Sequence, residues 1–519
     1  MRRTKKLKLF PLSKGLDLSS IPGGQDPRSL TRAKNIVIRN RGTLRKAPGI
    51  RSLEYAGPRD GLQAAIQFFG TSGGAQFSEV LQVRKGRVEV IRNGQAVDLG
   101  LEVSPTDTVT FTRFSNRLII HFENTSPKLY QAGGTSLSDV GILSGHMDVP
   151  PTFSVKHHSA LWYAGRGNFP HRLTKSAVDN IANYSLTSGG SQYRIDEGDG
   201  DPVGLTGLSQ TFRGDLFAFK WNSIHRLYLS NYGYGREQFA EGVGCVHHNT
   251  IVTLKNEIYF VSNEGIHSLS ATDKYGAAEE ATISYPIYEW FQENVNWAAY
   301  KYMVAVYDKQ SNSYMLSFPT LGSSVPNIII AFNLLTNEFY TWEDLEYPVL
   351  ATYFDVGRQR ALIGANEKGL GFVDETISTR FGNEFDVEIK TGPIFPVDEK
   401  EAQLNFTKAW LYVKPMTNSF DLLVRWYVDD ELAGTATLDP AGGGTGAQIG
   451  VTRIGATNVT IQGNKKRFHR LPFELNASGS AIEFEFIASP SGENDTKIEI
   501  YGLVFEYEYN EDDENNKAV

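Results

Sequence analysis

Between about residues 60 and 376 one hydrophobic pattern keeps returning: a short apolar strand, a polar turn, then a second alternating strand. "RGDLFAFKWNSIHRLYL" (Arg213–Leu229) and "KNEIYFVSNEGIHSLSA" (Lys255–Ala271) share it closely, each ending in Ile-His-x-Leu. Leu216 to Leu227 spans the same 11 residues as Ile258 to Leu269, and Leu118 to Leu129 repeats the spacing; Leu161 to Leu173 is longer by one. Alternation around a turn of this kind predicts β-hairpins. Equivalent strands begin near Leu81, Leu118, Leu161, Leu216, Ile258, Tyr314 and Leu362, at intervals of 37, 43, 55, 42, 56 and 48 residues. Repeats of that length, each holding several short strands, are the mark of propeller blades, which bury their faces only against neighbours. The expected fold is therefore all-β, with a β-propeller of about seven blades (six to eight). A two-sheet sandwich over this region would not need so many equally spaced hairpins. One helix is expected within it, over "SYPIYEWFQENV" (Ser284–Val295), with Pro286 early and Ile287, Trp290 and Phe291 on one face.

Near residue 377 the pattern changes. "KAWLYVKP", "FDLLVRWYVDDELAGTATL", "AIEFEFIAS" and "KIEIYGLVFEYEY" are longer strands with period-two alternation, expected to form an antiparallel β-sandwich over 377–510. The Gly-rich loop Asp439–Gly450 interrupts it, and an acidic tail expected to be disordered closes the chain at 511–519. The division is thus a basic N-terminal arm (1–50), a propeller (51–376), a sandwich (377–510) and the tail.

Charge sharpens the picture at the N-terminus. The 519-residue chain carries −8, yet residues 1–51 hold 14 Lys and Arg against only Asp17 and Asp26, a net +12 on a remainder of −20. A basic arm on an acidic body suggests docking on an acidic neighbour. Arg2, Arg3, Lys5, Lys6, Lys8, Arg45 and Lys46 are the candidate assembly contacts. The acidic body argues against gripping of duplex DNA, and the sequence offers no apolar run of about 20 residues to span a membrane.

Chemistry is sparse. Cys245, the sole cysteine, rules out internal disulfides and thiolate clusters and is expected to be buried. His157-His158 and His247-His248 are adjacent pairs, and neighbours on a strand face opposite ways, which disfavours a shared metal. "DEGDGDPVG" (Asp196–Gly204) offers Asp196, Asp199 and Asp201 as calcium-type oxygen ligands, but lacks the closing Glu and reads better as a turn. Arg213-Gly214-Asp215 reads as a turn before a strand. "GGGTG" lacks the Lys of a phosphate loop, and neither a Gly-x-Ser-x-Gly elbow nor a sialidase-type Asp box occurs. No enzyme, metal or cofactor is expected.

The opening "KGLDLSSIPGGQDPRSLTRAKNIVIRNRGTLRKAPGI" resembles the N-terminus of tail nozzle (tail stabilisation) proteins of tailed bacteriophages, with Ala33, Asn35, Leu44, Arg45, Pro48 and Gly49 at the matching places. "WYAGRGNFPHRLTKSAVDNIANY", "DEGDGDPVGLTGLSQTFRGDLFAFKWNSIHRL" and "GVGCVHHNTIVTLKNEIYFVSNEGIHSL" are similar to later stretches of that family, in the same order. The resemblance covers most of residues 10–376, more weakly the sandwich. It implies a non-catalytic β-propeller virion protein in a homo-oligomeric ring, usually a hexamer, below the portal and adaptor, made in the host cytoplasm and conducting DNA without sequence-specific binding. On that reading Asp26 caps a short helix with Pro27 in its first turn, Ile36–Ile38 turns at Asn40–Gly42 into Leu44 and joins a blade to close or brace the ring, and an acidic lumen lets DNA slide. Removal of residues 1–25 is expected to leave a folded monomer that assembles poorly. The alternatives are a carbohydrate- or receptor-binding tail protein, with Trp410 and Trp426 as sugar-stacking candidates, and a soluble β-propeller interaction scaffold.

Overall fold

The computed structural model describes every residue except 1, 19–25, 40–41, 141–150, 166, 168, 196–200, 255, 272–277, 356, 398–401, 417–419, 441–445, 448–459, 462–467, 490–497 and 511–519. Asp196, Asp199, the glycines 442–444 and the acidic tail therefore lie outside the described residues. The chain forms two compact units: residues 50–331 with 344–374, and residues 1–49 with 332–343 and 375–519.

The first unit is a seven-bladed β-propeller. Five blades are four-stranded meanders of consecutive strands, spanning 62–102, 109–139, 153–194, 207–241 and 252–282. The sixth starts with Val304–Asp308, Ser313–Phe318 and Ile328–Asn333. The seventh takes three strands, Val349–Asp355, Arg358–Ala365 and Gly369–Asp374, and completes itself with Gly49–Ser52 from the far N-terminal end. Leu53 N–H donates to Leu370 O at 2.8 Å and Arg51 pairs with Asp374 at 2.6 Å, so the ring is sealed by a strand more than 300 residues from its partner. First strands of successive blades neighbour one another round the hub, with the turn His248–Thr250 filling in at the fifth blade and the seventh meeting the first.

The residues that marked the repeat explain why it was visible. Leu81, Leu118, Leu161, Leu216, Ile258, Tyr314 and Leu362 all lie on the second strand of their blades, each wholly buried. Leu216 pairs directly with Leu227 and Ile258 with Leu269, so the 11-residue spacing is a hairpin register. In the second blade Leu118 faces Tyr130 instead, one position along. The helix is shorter than expected: a 3₁₀ turn Tyr285–Ile287 leads into Tyr288–Asn294, with Ile287 and Phe291 buried.

The second unit is a β-sandwich. One sheet runs Ile36–Arg39, Thr43–Lys46, Glu499–Asn510, Leu404–Val413, His469–Gly479, with Arg2–Leu9 also lying along Glu499–Asn510. The other runs Glu338–Trp342, Leu30–Lys34, Val387–Thr391, Ile482–Ala488, Leu422–Val428, Glu431–Leu438. Phe406, Phe473, Phe484 and Phe505 meet between them.

The first 49 residues are thus part of the sandwich unit instead of a separate arm, and the expected helix is absent. Asp26 accepts from Arg28 N–H at 2.9 Å and holds its guanidinium at 2.7 Å, closing a local turn around Pro27. That ion pair holds the Asp26 carboxyl below its usual range. Leu30–Lys34 then extends as a strand on Val387–Thr391, and Asn35 sits at φ 59° between two strands. The hairpin Ile36–Arg39 to Thr43–Lys46 forms with Ile38 opposite Leu44, but it joins the sandwich; the strand that closes the propeller is the next one, Gly49–Ser52.

Candidate functional site

The propeller axis is where side chains from every blade converge. A chamber of about 710 Å³ is lined by the first strands or their flanks in all seven blades, among them Phe111, Arg113, Lys156, Gln210, Tyr307 and Phe354. A second chamber of about 480 Å³ shares Ala65, Phe111, Asn249, Val304 and Leu350 with it and opens towards Lys85, Asp107, Lys301 and Tyr302. Hydrogen bonds cross the hub at that second end. Asn249 Nδ2 of the fifth blade donates to Val109 O of the second at 3.2 Å. Tyr302 Oη, ahead of the sixth blade, donates to Thr106 O at 3.2 Å, and Lys301 pairs with Glu123 at 3.1 Å. Burial opposes the Lys301 charge, but the Glu123 contact outweighs it and raises the ammonium pKa. His247 and His248 beside this latch are held neutral by burial, pushed down to about 4 and about 3.

The latch closes the propeller axis of a single copy to a duplex. The major groove of a duplex alone is about 12 Å wide, far more than a hub bridged by single side chains can pass. No carboxylate lines the larger chamber among the described residues; its charged groups are Arg113 and Lys156. Because Lys301 and Glu123 are about one-third exposed (36 % and 34 %), water screens their attraction. Replacing Glu123 with Gln is therefore expected to lower stability by less than about 1 kcal/mol in urea denaturation, with Asn249 and Tyr302 still spanning the hub.

The candidate assembly cations fall on the sandwich unit. Arg2, Arg3, Lys5, Lys6 and Lys8 lie on one strand in register with the acidic strand Glu499–Asn510, Lys6 opposite Glu506 and Lys8 opposite Val504. Lys6 pairs with Glu506 at 2.5 Å, Lys5 lies over the Tyr509 ring and Lys8 is exposed. Arg45 approaches Glu375 at 3.9 Å. Lys46 is turned inward, 3 % exposed, against Glu384 and the Phe385 ring, so as an outward contact it is corrected by its burial. The acidic partner of the basic segment is thus, in good part, the chain's own last strand.

Trp410 and Trp426 are 7 % and 5 % exposed. Lys6 and Arg470 both sit over the Trp410 ring, and Trp426 Nε1 donates to Leu475 O at 3.2 Å, which leaves neither ring presented for stacking on a sugar. His157 and His158 do not diverge as strand neighbours should: His158 has φ 44° in a turn, and the rings stack at 4.0 Å. Their nitrogens bond to Thr211 and Tyr234, and among the described residues no set of three His, Cys, Asp or Glu is gathered at metal distance. Asp201 accepts from the backbone of Val203 and Asn222. Arg213-Gly214-Asp215 is a turn before Leu216–Phe219, and Cys245 is fully buried, its thiol pushed up to about 11 by desolvation.

Arg113 and Lys156 do not stand out in the linear sequence. The signal was present in "VTFTRF" and "FSVKH", where a cation stands near the end of a blade's first strand, but its meaning needs the blades closed into a circle.

No protein-family profile matches the chain, and no curated sequence does. Among solved structures, YCF48 from Cyanidioschyzon merolae matches 64 % of this chain and 100 % of its own, at 10 % identity and a TM-score of 0.40. The WD40 β-propeller domain of Doa1 matches 62 % of this chain and 96 % of its own, also at 10 % identity and a TM-score of 0.40. The chain is a β-propeller followed by a β-sandwich.

Proposed function

We propose that this chain is a non-catalytic structural protein whose propeller and sandwich serve as docking surfaces, and that the assembly it builds is a ring of the phage tail nozzle kind. One observation carries the reading. The stretch Leu44-Arg45-Lys46-Ala47-Pro48-Gly49, one of several that together carry the resemblance, is where the chain passes from a sandwich strand to the strand that seals the propeller. Pro48 cannot donate to a ladder, and a Cβ on Gly49 would stand 2.3 Å from Thr379 O, so the crossing leaves room for glycine alone at position 49. A motif that carries the chain from a sandwich strand to a blade strand gives these residues a structural reason to stand together.

In this reading DNA passes through the opening between copies in the ring, since the propeller axis is latched. The protein would then belong to the virion, beside a portal or adaptor, after assembly in the host cytoplasm. A second reading is favoured by the latch itself: a propeller that closes and braces its own hub needs no neighbours to bury its blades and can act as a soluble interaction scaffold. Mass photometry and sedimentation of the full chain, from nanomolar to tens of micromolar, separate the two. A discrete closed ring is expected; a monomer across that range would overturn the nozzle reading and leave the scaffold.

A further inference from the structure

Within the larger axial chamber, Arg113 and Lys156 point to a ligand. They stand on the first strands of the second and third blades, neighbours at the hub, and both line the chamber. Neither has an ion-pair partner among the described residues: Arg113 donates to Gln67 O, and Lys156 lies over the Phe114 ring. Arg113 keeps an exposed side chain on the chamber wall, and partial burial pushes its guanidinium pKa down. In a protein with 59 Asp and Glu, a concave site lined by two cations and no carboxylate favours an anion, because two positive charges on one concave wall sum their attraction.

Phe354 on the lining adds an apolar element, with Phe69 packed on it. Phe69 and Phe354, 44 % and 38 % exposed, meet edge to face at 5.8 Å. Gln67 fixes them by bonding both the N–H and the C=O of Phe354, at 2.6 and 3.2 Å. Gln210, Thr211 and Gln359 supply neutral hydrogen-bonding groups on the lining. The volume of about 710 Å³ lies within the usual range for ligand pockets, about 300–1,000 Å³, and suits a few residues of extended chain.

We propose that this chamber is a docking site for an acidic peptide segment of a partner protein, its carboxylates on Arg113 and Lys156 and an apolar side chain against Phe69 and Phe354. A peptide fits better than nucleic acid because the two phenyl rings are turned onto each other, which offers no free ladder of faces for bases. The site is complete within one copy, so it holds whether or not the chain forms a ring.

The test is fluorescence anisotropy on the full-length protein at low salt. Three labelled probes are compared: the peptide Asp-Leu-Glu-Phe-Asp-Glu, its amide counterpart Asn-Leu-Gln-Phe-Asn-Gln, and a single-stranded DNA hexamer. The acidic peptide is expected to bind about tenfold or more tightly than the other two, and to weaken about tenfold in Lys156→Glu and in Arg113→Gln. Lys156 is exposed, so its variant keeps the fold, checked by an unchanged melting profile. No saturation by the acidic peptide at about 1 mM, equal binding of its amide counterpart, tighter binding of the DNA hexamer, or an unaltered affinity in Lys156→Glu would each overturn the proposal.

Discussion

A chain lacking residues 1–25 should lose its sandwich unit while keeping its propeller. The sequence suggested a dispensable docking arm, but Arg2–Leu9 forms an eight-residue antiparallel ladder with Leu503–Asn510, and Leu9, Leu12 and Leu16 are buried to 3, 0 and 5 % exposure. Burying each leucine is worth about 1.5–3 kcal/mol, so their removal takes away about 5–9 kcal/mol before any backbone hydrogen bond is counted. That is comparable to the whole stability of a typical domain, about 5–15 kcal/mol. Truncation also bares the edge of the long strand Glu499–Asn510, an invitation to strand pairing between molecules. In hydrogen exchange, amides of 404–413 and 482–488 should lose protection while those of the blades keep theirs, and the truncated protein should aggregate. Unchanged protection of these sandwich strands would show that the segment is peripheral after all.

The second large effect is expected from Arg92→Ala, in the seam between the first two blades. Glu79 is only 4 % exposed; Arg92 Nε reaches it at 2.6 Å, Tyr130 Oη donates to it at 2.6 Å and Gly133 N–H at 3.1 Å. Arg92 also donates to Gly134 O, so one guanidinium ties a strand of blade one to the loop after a strand of blade two. Desolvation first, and the Glu79 contact second, push the Tyr130 phenol well above its ordinary pKa, so it stays a donor. Removing Arg92 leaves a buried carboxylate without its countercharge, a change that typically costs about 3–5 kcal/mol. Chemical denaturation should show that loss. The double variant Arg92→Met, Glu79→Met should recover much of it, because no buried charge remains. A loss below about 1 kcal/mol for Arg92→Ala would mean that the carboxylate is better solvated than its burial indicates.

The propeller could be read from the sequence because each blade repeats the same buried position on its second strand, from Leu81 to Leu362, and turns of similar chemistry set the hairpins. The closure could not: Gly49–Ser52 is four residues long and finds its partner only through the ring. The Asp26-Pro27 opening misled for a physical reason, since an Asp accepting backbone N–H groups ahead of a Pro starts turns as readily as helices; the sandwich strand Val387–Thr391 then decides the matter by pairing. The basic N-terminus was seen as a charge imbalance, but its principal complement, the strand ending "FEYEYN", lay in the same chain. Arg113 and Lys156 are unremarkable in a linear reading and become a pair only when blades two and three stand side by side.

A clasp that precedes every blade in the chain imposes an order of events on the ribosome. Residues 49–52 emerge before any blade, yet the edge they must fill exists only once residue 374 has left the exit tunnel. Until then the nascent blades form an open arc with two unfinished ends, and the finished circle snaps shut as a late, whole-molecule event.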